Sequence, residues 1–231
     1  MAEPGRGAKL DDEVLARRAR LPLRVAPVTL VGSLVRLAPL DLDRDVHALH
    51  AVSNGQPATL GGDRQVGAYD AESVIWRYMA GGPFGRAEEL AAWLQAQVDA
   101  PNGLCLCVFD APTGRPIGVA TFMSNVPEHL KVELGSIWYS PLAQRMGANT
   151  EATYLMLRHA FELGYRRVEW KCDALNQRSR RAAPRMGFTF EGIQECHYIV
   201  KGRNRDTAWF RILDREWPAV KGLLERLLDR S

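Results

Sequence analysis

The segment Trp138 to Glu151, Trp-Tyr-Ser-Pro-Leu-Ala-Gln-Arg-Met-Gly-Ala-Asn-Thr-Glu, concentrates the clearest chemical signal in the chain. An apolar strand is expected to end at Tyr139, turn through Ser140 to Ala148, and pass at once into a helix beginning at Asn149. The first N–H groups of a helix have no partner inside it, and the helix dipole adds positive potential there. Such a start binds anions, and Gly147 lets the backbone come close to one. A pyrophosphate is the natural guest. On the strand leading into this turn stands Glu133. A carboxylate there could take the proton of an attacking nucleophile. Its plainer role is an exposed strand carboxylate paired with Lys131 or another cation.

A second group follows. Asn176 opens a helix, either as a ligand contact or as an N-cap. Arg178, Arg180, Arg181 and Arg185 share that helix, and their basic face suits either a phosphate or solvent. Ser179 offers a hydroxyl. Upstream, residues 53–85 form a long, irregular, glycine-rich stretch containing Trp76, Tyr78 and Phe84. Long segments of this kind are often functional, so these aromatics are candidates for a pocket wall, or else a plug under the loop. His47 and His50 lie three apart on one helix, but nothing nearby completes a ligand set, so no metal is expected. The four cysteines form no C-x-x-C pair and read as buried reduced thiols.

These groups need elements to hold them. Val28–Leu37 reads as a strand with a turn or bulge at Gly32-Ser33, and Asp41–Val52 as a helix. A short helix is expected near residues 71–79. Leu90, Trp93, Leu94 and Val98 recur at helical spacing within residues 86–100. Leu104–Asp110 is a continuous apolar run, so a strand buried on both faces. Ile117–Ser124 and Lys131–Tyr139 are further strands. Then come a helix (149–163), a strand (167–172), a helix (176–186), two strands (188–200 and 207–213) and a C-terminal helix. The order β-α-α-βββ-α-β-α-ββ-α predicts an α/β fold with a mixed, largely antiparallel sheet flanked by helices.

Gln144-x-x-Gly147-x-Asn149 resembles the acetyl-CoA loop of GNAT acetyltransferases, Q/R-x-x-G-x-G/A, with Asn149 where Gly or Ala is usual. Asn176-x-x-Ser179, followed by Gly187-Phe188, resembles the block that comes next in that family. Ser179, the Trp-Tyr-Ser-Pro run and the tail near Trp209 and Trp217 are similar to the RimJ/RimL branch. The resemblance covers about residues 30–220. It implies a GNAT fold and an acetyl-CoA-dependent N-acetyltransferase acting on a primary amine, a protein N-terminus or a small molecule. It implies cofactor contacts from Ile137, Trp138, Tyr139, Gln144, Arg145, Met146, Gly147, Ala148, Asn149, Thr150, Asn176, Ser179 and Arg180. The backbone of Ile137 and Tyr139 would hold the pantetheine arm as an added strand. Glu133 would be the base, and water or Ser179 the acid, because Ala183 stands where many relatives carry a tyrosine. Trp76, Tyr78, Phe84 and Ser136 would face the acceptor. Pro184 should kink its helix. The rival reading is a non-catalytic acyl-CoA sensor.

Composition narrows the classes. With 30 basic and 27 acidic side chains, the net charge is only +3, which gives little support for a polyanion partner. No aromatics interleave with the arginines as a nucleic-acid platform needs. No apolar run is long enough to span a bilayer, so no membrane partner is expected. Residues 1–20 are polar and show no secretory pattern, so cytoplasmic residence is the default expectation. The chain reads as an N-terminal extension (1–27) and one domain (28–231). A homodimer is compatible with these residues and not fixed by them.

Overall fold

Strand β5 (Leu104–Asp110) is buried at every residue, as its unbroken apolar run requires. Alternation sorts its side chains: Leu104, Leu106 and Val108 join one core, while Cys105, Cys107 and Phe109 join another. The computed structural model describes residues 7, 9–62 and 64–229. The remaining sheet strands are β1 (Leu30–Val31), β2 (Val35–Pro39), β6 (Pro116–Val126), β7 (Lys131–Tyr139), β8 (Arg167–Asp173), β9 (Thr189–Val200) and β10 (Arg203–Leu213). A separate pair, β3 (Ala58–Thr59) and β4 (Gln65–Val66), lies in the long connection. The main sheet runs β1-β2-β5-β6-β7-β8-β10-β9, and every neighbouring pair is antiparallel except β7–β8.

The helices are α1 (Asp12–Ala16), α2 (Leu42–Ala51), α3 (Ala87–Val98), α4 (Ala148–Leu163), α5 (Gln177–Arg185) and α6 (Trp217–Leu228). Asp41 caps α2 by accepting from the N–H of Arg44 at 3.1 Å. Helices α4 and α6 contribute Ala152, Leu155, Val220 and Leu224 to one core. Helices α2 and α3 contribute Val46, Leu49, Leu90 and Leu94 to the other. On β8 and β10 the second sheet face carries charge, with Lys131 and Arg167 both on Glu169, and Glu191 between Arg167 and Arg211.

Four expectations shift. The first strand is a hairpin, β1 and β2, folded at Gly32-Ser33 with Leu30 opposite Leu37. β10 starts at Arg203, because Lys201-Gly202 already makes the reversal with both residues at positive φ. The tail of the expected N-terminal extension is tied down: Leu21 and Val25 are buried, and Asn125 donates to the carbonyls of Pro22 and Leu23 at 2.9 and 2.7 Å. Of the four free cysteines, Cys196 is exposed, because it lies on edge strand β9. Burial pushes the Cys105 thiol up to about 11.

Candidate active site

The parallel β7–β8 ladder pairs Lys131 with Arg167, Val132 with Val168 and Glu133 with Glu169, and stops there. Both strands run on, to Tyr139 and Asp173, so they separate beyond Glu133. A bulge accompanies the separation. Thr121 of β6 faces Gly135, but Val119 faces Trp138, which places an extra residue in β7 at Ser136-Ile137. Ser136 takes a φ of 50°. A cleft of about 720 Å³ opens at the parting, with Ile137, Trp138 and Tyr139 on one side and Trp170 on the other.

The floor of the cleft is the start of α4. Gly147 is its N-cap, with φ 73°, and no side chain caps the helix. Gln144, Arg145, Gly147, Ala148, Asn149 and Thr150 line the cleft. Asn149 Oδ1 and Tyr139 Oη are buried without a hydrogen-bond partner among the described residues. Facing them is α5, whose cap Asn176 accepts from the N–H of Ser179 at 3.1 Å. Asn176 is therefore an N-cap that also lines the cleft. Ser179 Oγ accepts from the Trp170 indole at 3.0 Å. Arg178, Arg181 and Arg185 line the rim. Pro184 lies one residue before the end of α5 at Arg185, in its last turn.

Glu133 faces the other side of the sheet and does not line the large cleft. It is buried, with Lys171 Nζ 3.0 Å from its Oε2, whereas Lys131 pairs with Glu169 instead. Burial pushes the Glu133 carboxyl up, against the pull of the Lys171 charge. Burial opposes charge on Lys171, but Glu133 and Tyr198 together outweigh it and the ammonium is held above its ordinary value. Lys171 Nζ also lies 5.2 Å from the ring of Trp209 and 5.7 Å from that of Tyr198.

The segment 72–79 arches over the parting as a strap. Tyr78 donates to the carbonyl of Leu175 at 3.2 Å, and Arg178 to that of Val74 at 3.1 Å. Lys201 reaches the carboxylate of Glu72 at 3.0 Å and the carbonyl of Trp76 at 2.8 Å. Tyr78 lines the cleft. Trp76 does not: it is fully buried, donates to Ser53 O at 2.9 Å, and packs on Phe84, Trp93 and Trp138. Trp76 thus points from the strap into the core, and the partly buried Phe84 packs on it. Ser136 donates to Gln97 of α3. Met146 is exposed outside the cleft lining, and Arg180 turns back to the carbonyl of Ala174 at 3.1 Å. His50 contacts the Phe84 carbonyl at 3.1 Å rather than lying free on its helix. Among the described residues no group of three or more His, Cys, Asp or Glu is placed to hold a metal, and no helix is long and apolar enough to cross a membrane.

A profile of the acetyltransferase (GNAT) domain matches residues 37–189. The chain belongs to the GNAT acetyltransferase family. A GCN5-related N-acetyltransferase from Brucella melitensis is 37% identical, with a TM-score of 0.77 over 87% of this chain and 86% of that one. The protein "Putative ribosomal N-acetyltransferase YdaF" of Bacillus subtilis (strain 168) is 32% identical over 92 residues, 39% of this chain. That match spans half of the relative's length. The acetyl transferase of Salmonella typhimurium that modifies the N-terminal serine of ribosomal protein L7/L12 is 18% identical, with a TM-score of 0.64, over 80% of this chain and 99% of that one. At that identity the shared property is the fold.

GNAT enzymes use acetyl-CoA, and the residues present fit it. The uncapped start of α4, the orphaned Asn149 Oδ1 and Tyr139 Oη, and the arginine rim supply polar partners along one cleft. Two important residues gave no sequence signal. Glu151 accepts from the N–H groups of Ser33, Leu34 and Val35 and from the Ser33 hydroxyl, at 2.7–2.9 Å, and so pins the β1–β2 turn to the first turn of α4. A side chain at Gly32 would collide with that carboxylate, its Cβ 2.3 Å from Oε2. Lys171 is the other. The alternation of β8 could have shown that it shares a face with Glu169, but not that it meets Glu133.

Proposed function

We propose that this GNAT enzyme transfers the acetyl group of acetyl-CoA to a primary amine by direct attack, with Glu133 as base. The observation that carries this reading is the end of the β7–β8 ladder at Glu133. There the anion-binding helix start lies on one side of the parted strands and a buried carboxylate on the other. Acetyl-CoA supplies an activated thioester. The backbone of Ile137 and Tyr139, freed from β8, holds the pantetheine arm as an added strand. The first turn of α4 from Gly147 holds the pyrophosphate, and Arg178, Arg181 and Arg185 meet the outer phosphate. Residues 28–229 act as one catalytic domain. Glu133, raised by burial, accepts the proton of the amine. Ser179, whose oxygen accepts from the Trp170 indole and whose hydroxyl also reaches the Cys172 thiol, or a water protonates the leaving thiolate.

Ala183 favours a second reading, an acyl-CoA sensor without turnover, since no tyrosine of α5 can act as acid. Free-thiol release from acetyl-CoA with a panel of primary amines separates the two. The enzyme reading expects amine-dependent thiol release and a matching mass gain of one acetyl group on the amine. Binding of acetyl-CoA with no release for any amine would leave the sensor.

A further inference from the structure

We propose that the acceptor amine carries a carboxylate, held on the outer face of β10 by Arg205, Thr207 and Trp209. The inference rests on the acetyl-transfer reading and names the acceptor class for that same site. Residues 205, 207 and 209 alternate with the core residues Ala208 and Phe210, so their side chains share one face. That face adjoins the parting of β7 and β8. Trp209 lies directly opposite Lys171 on β8, and Lys171 is paired with Glu133.

Arg205 Nε, Thr207 Oγ1 and Trp209 Nε1 are buried and have no hydrogen-bond partner among the described residues. Thr207 is wholly buried. Buried polar groups are nearly always satisfied, so three in a row mark a missing partner. Arg and Trp donate only, and the threonine hydroxyl can donate. The missing partner is therefore an acceptor of hydrogen bonds. His197 of β9 adds a fourth orphaned nitrogen, Nδ1, with its ring 3.9 Å from Tyr198 and 6.0 Å from Trp209. A bulge in β9 brings it there: Arg205 faces Tyr198 but Thr207 faces Gln194, and Cys196 between them takes a φ of 50°.

Charge selects the acceptor. Four charged groups converge here: Glu133, Lys171, Arg205 and, directly opposite Thr207, Asp173, whose carboxylate accepts from the N–H of Leu175. Glu133 and Lys171 neutralise each other. The Arg205 guanidinium lies 5.6 Å from the Tyr198 ring and forms no ion pair among the described residues. Arg205 is the cation here without a contact partner, and with Glu133 and Asp173 already on this face there is no surplus of positive charge for the near-double charge of a phosphate monoester, so a single negative charge fits better. A carboxylate also matches the planar fork of arginine.

The test uses the full chain with acetyl-CoA and matched acceptors: primary amines bearing a carboxylate, the corresponding carboxamides, and the corresponding phosphate monoesters. The carboxylates are expected to show kcat/KM at least about 10-fold above the carboxamides, since a buried donor set left unpaired discriminates strongly. Arg205→Gln should erase that preference, bringing kcat/KM for the carboxylates down to that for the carboxamides, while thermal stabilisation by acetyl-CoA stays as in the wild type. Equal rates for carboxylate and carboxamide, or faster phosphate esters, overturn the inference and leave acetyl transfer standing. Stabilisation by acetyl-CoA without turnover of any amine overturns it too. No stabilisation by acetyl-CoA removes the reading beneath it. If Arg205→Gln fails to fold, Thr207→Val, which keeps the shape and removes one donor, should reduce the preference by itself.

Discussion

The two sides of the β7–β8 parting are built by different means. The side proposed for the cofactor is made largely of backbone: the uncapped start of α4 at Gly147, the bulge at Ser136-Ile137, and strand edges released from pairing. The side proposed for the acceptor is made of side chains from four strands, with Glu133 on β7, Lys171 on β8, His197 on β9, and Arg205, Thr207 and Trp209 on β10. Backbone donors tolerate changes of side chain, so the first side suits one invariant ligand. A surface of side chains can be rebuilt residue by residue, so the second is where one fold can change its acceptor.

This contrast predicts that single substitutions divide cleanly between the sides. The largest effect is expected at Glu133. Glu133→Gln keeps the shape and removes the proposed base, and kcat should fall by roughly 10- to 10³-fold. Acetyl-CoA affinity should hardly change, because Glu133 does not line the cleft. An unaltered kcat at pH 7 would take Glu133 out of the mechanism.

Trp76→Ala probes the boundary between wall and plug. The indole is fully buried against three aromatic rings, so stability should drop by about 3–5 kcal/mol. Acceptor preference should stay as in the wild type. A variant of normal melting temperature with altered acceptor choice would contradict the placement of Trp76 in the core.

The smallest effect concerns pH. The Lys171 cation favours the charged form of Glu133, while burial disfavours it. Lys171→Met removes the favourable part, so the carboxyl should titrate still higher. The base works only when deprotonated, so activity is lost as pH falls through that value. The acid limb of kcat/KM should therefore move to higher pH in Lys171→Met than in the wild type, with the same acceptor. An acid limb that stays in place would mean that the limb reports another group.

The contrast also explains what could be read from residue order. The cofactor side is local: strand, turn and helix start lie within residues 131–151, and the cap of α5 within 176–179, so motifs and spacing found them. Strand β5 and helix α4 emerged near their actual bounds because apolar runs and helical periods are short-range signals. The acceptor side is non-local. Glu133 meets Lys171 only because β7 and β8 are parallel neighbours, and Arg205 and His197 meet only through a bulge in β9. No short window contains Glu133 and Lys171, and although His197 and Arg205 are close along the chain, nothing in the run 197–205 announces the bulge that brings them to one face. Whether Trp76 and Phe84 form a pocket wall or a plug stayed open in the sequence for the same reason, because the strap that carries Trp76 is anchored by Lys201, far along the chain.

The central claim is that the start of α4 at Gly147 receives acetyl-CoA, and thermal melting with and without acetyl-CoA tests it most directly. A ligand present at about 100 times its Kd adds about 2.7 kcal/mol, and each kcal/mol raises Tm by about 2–4 °C at this chain length. The wild type should therefore melt several degrees higher with millimolar acetyl-CoA. Gly147→Asp should abolish the rise, since it sets a carboxylate against the pyrophosphate and forces an L-residue to a φ of 73°. No rise in the wild type, or an equal rise in a folded Gly147→Asp variant, would contradict the account.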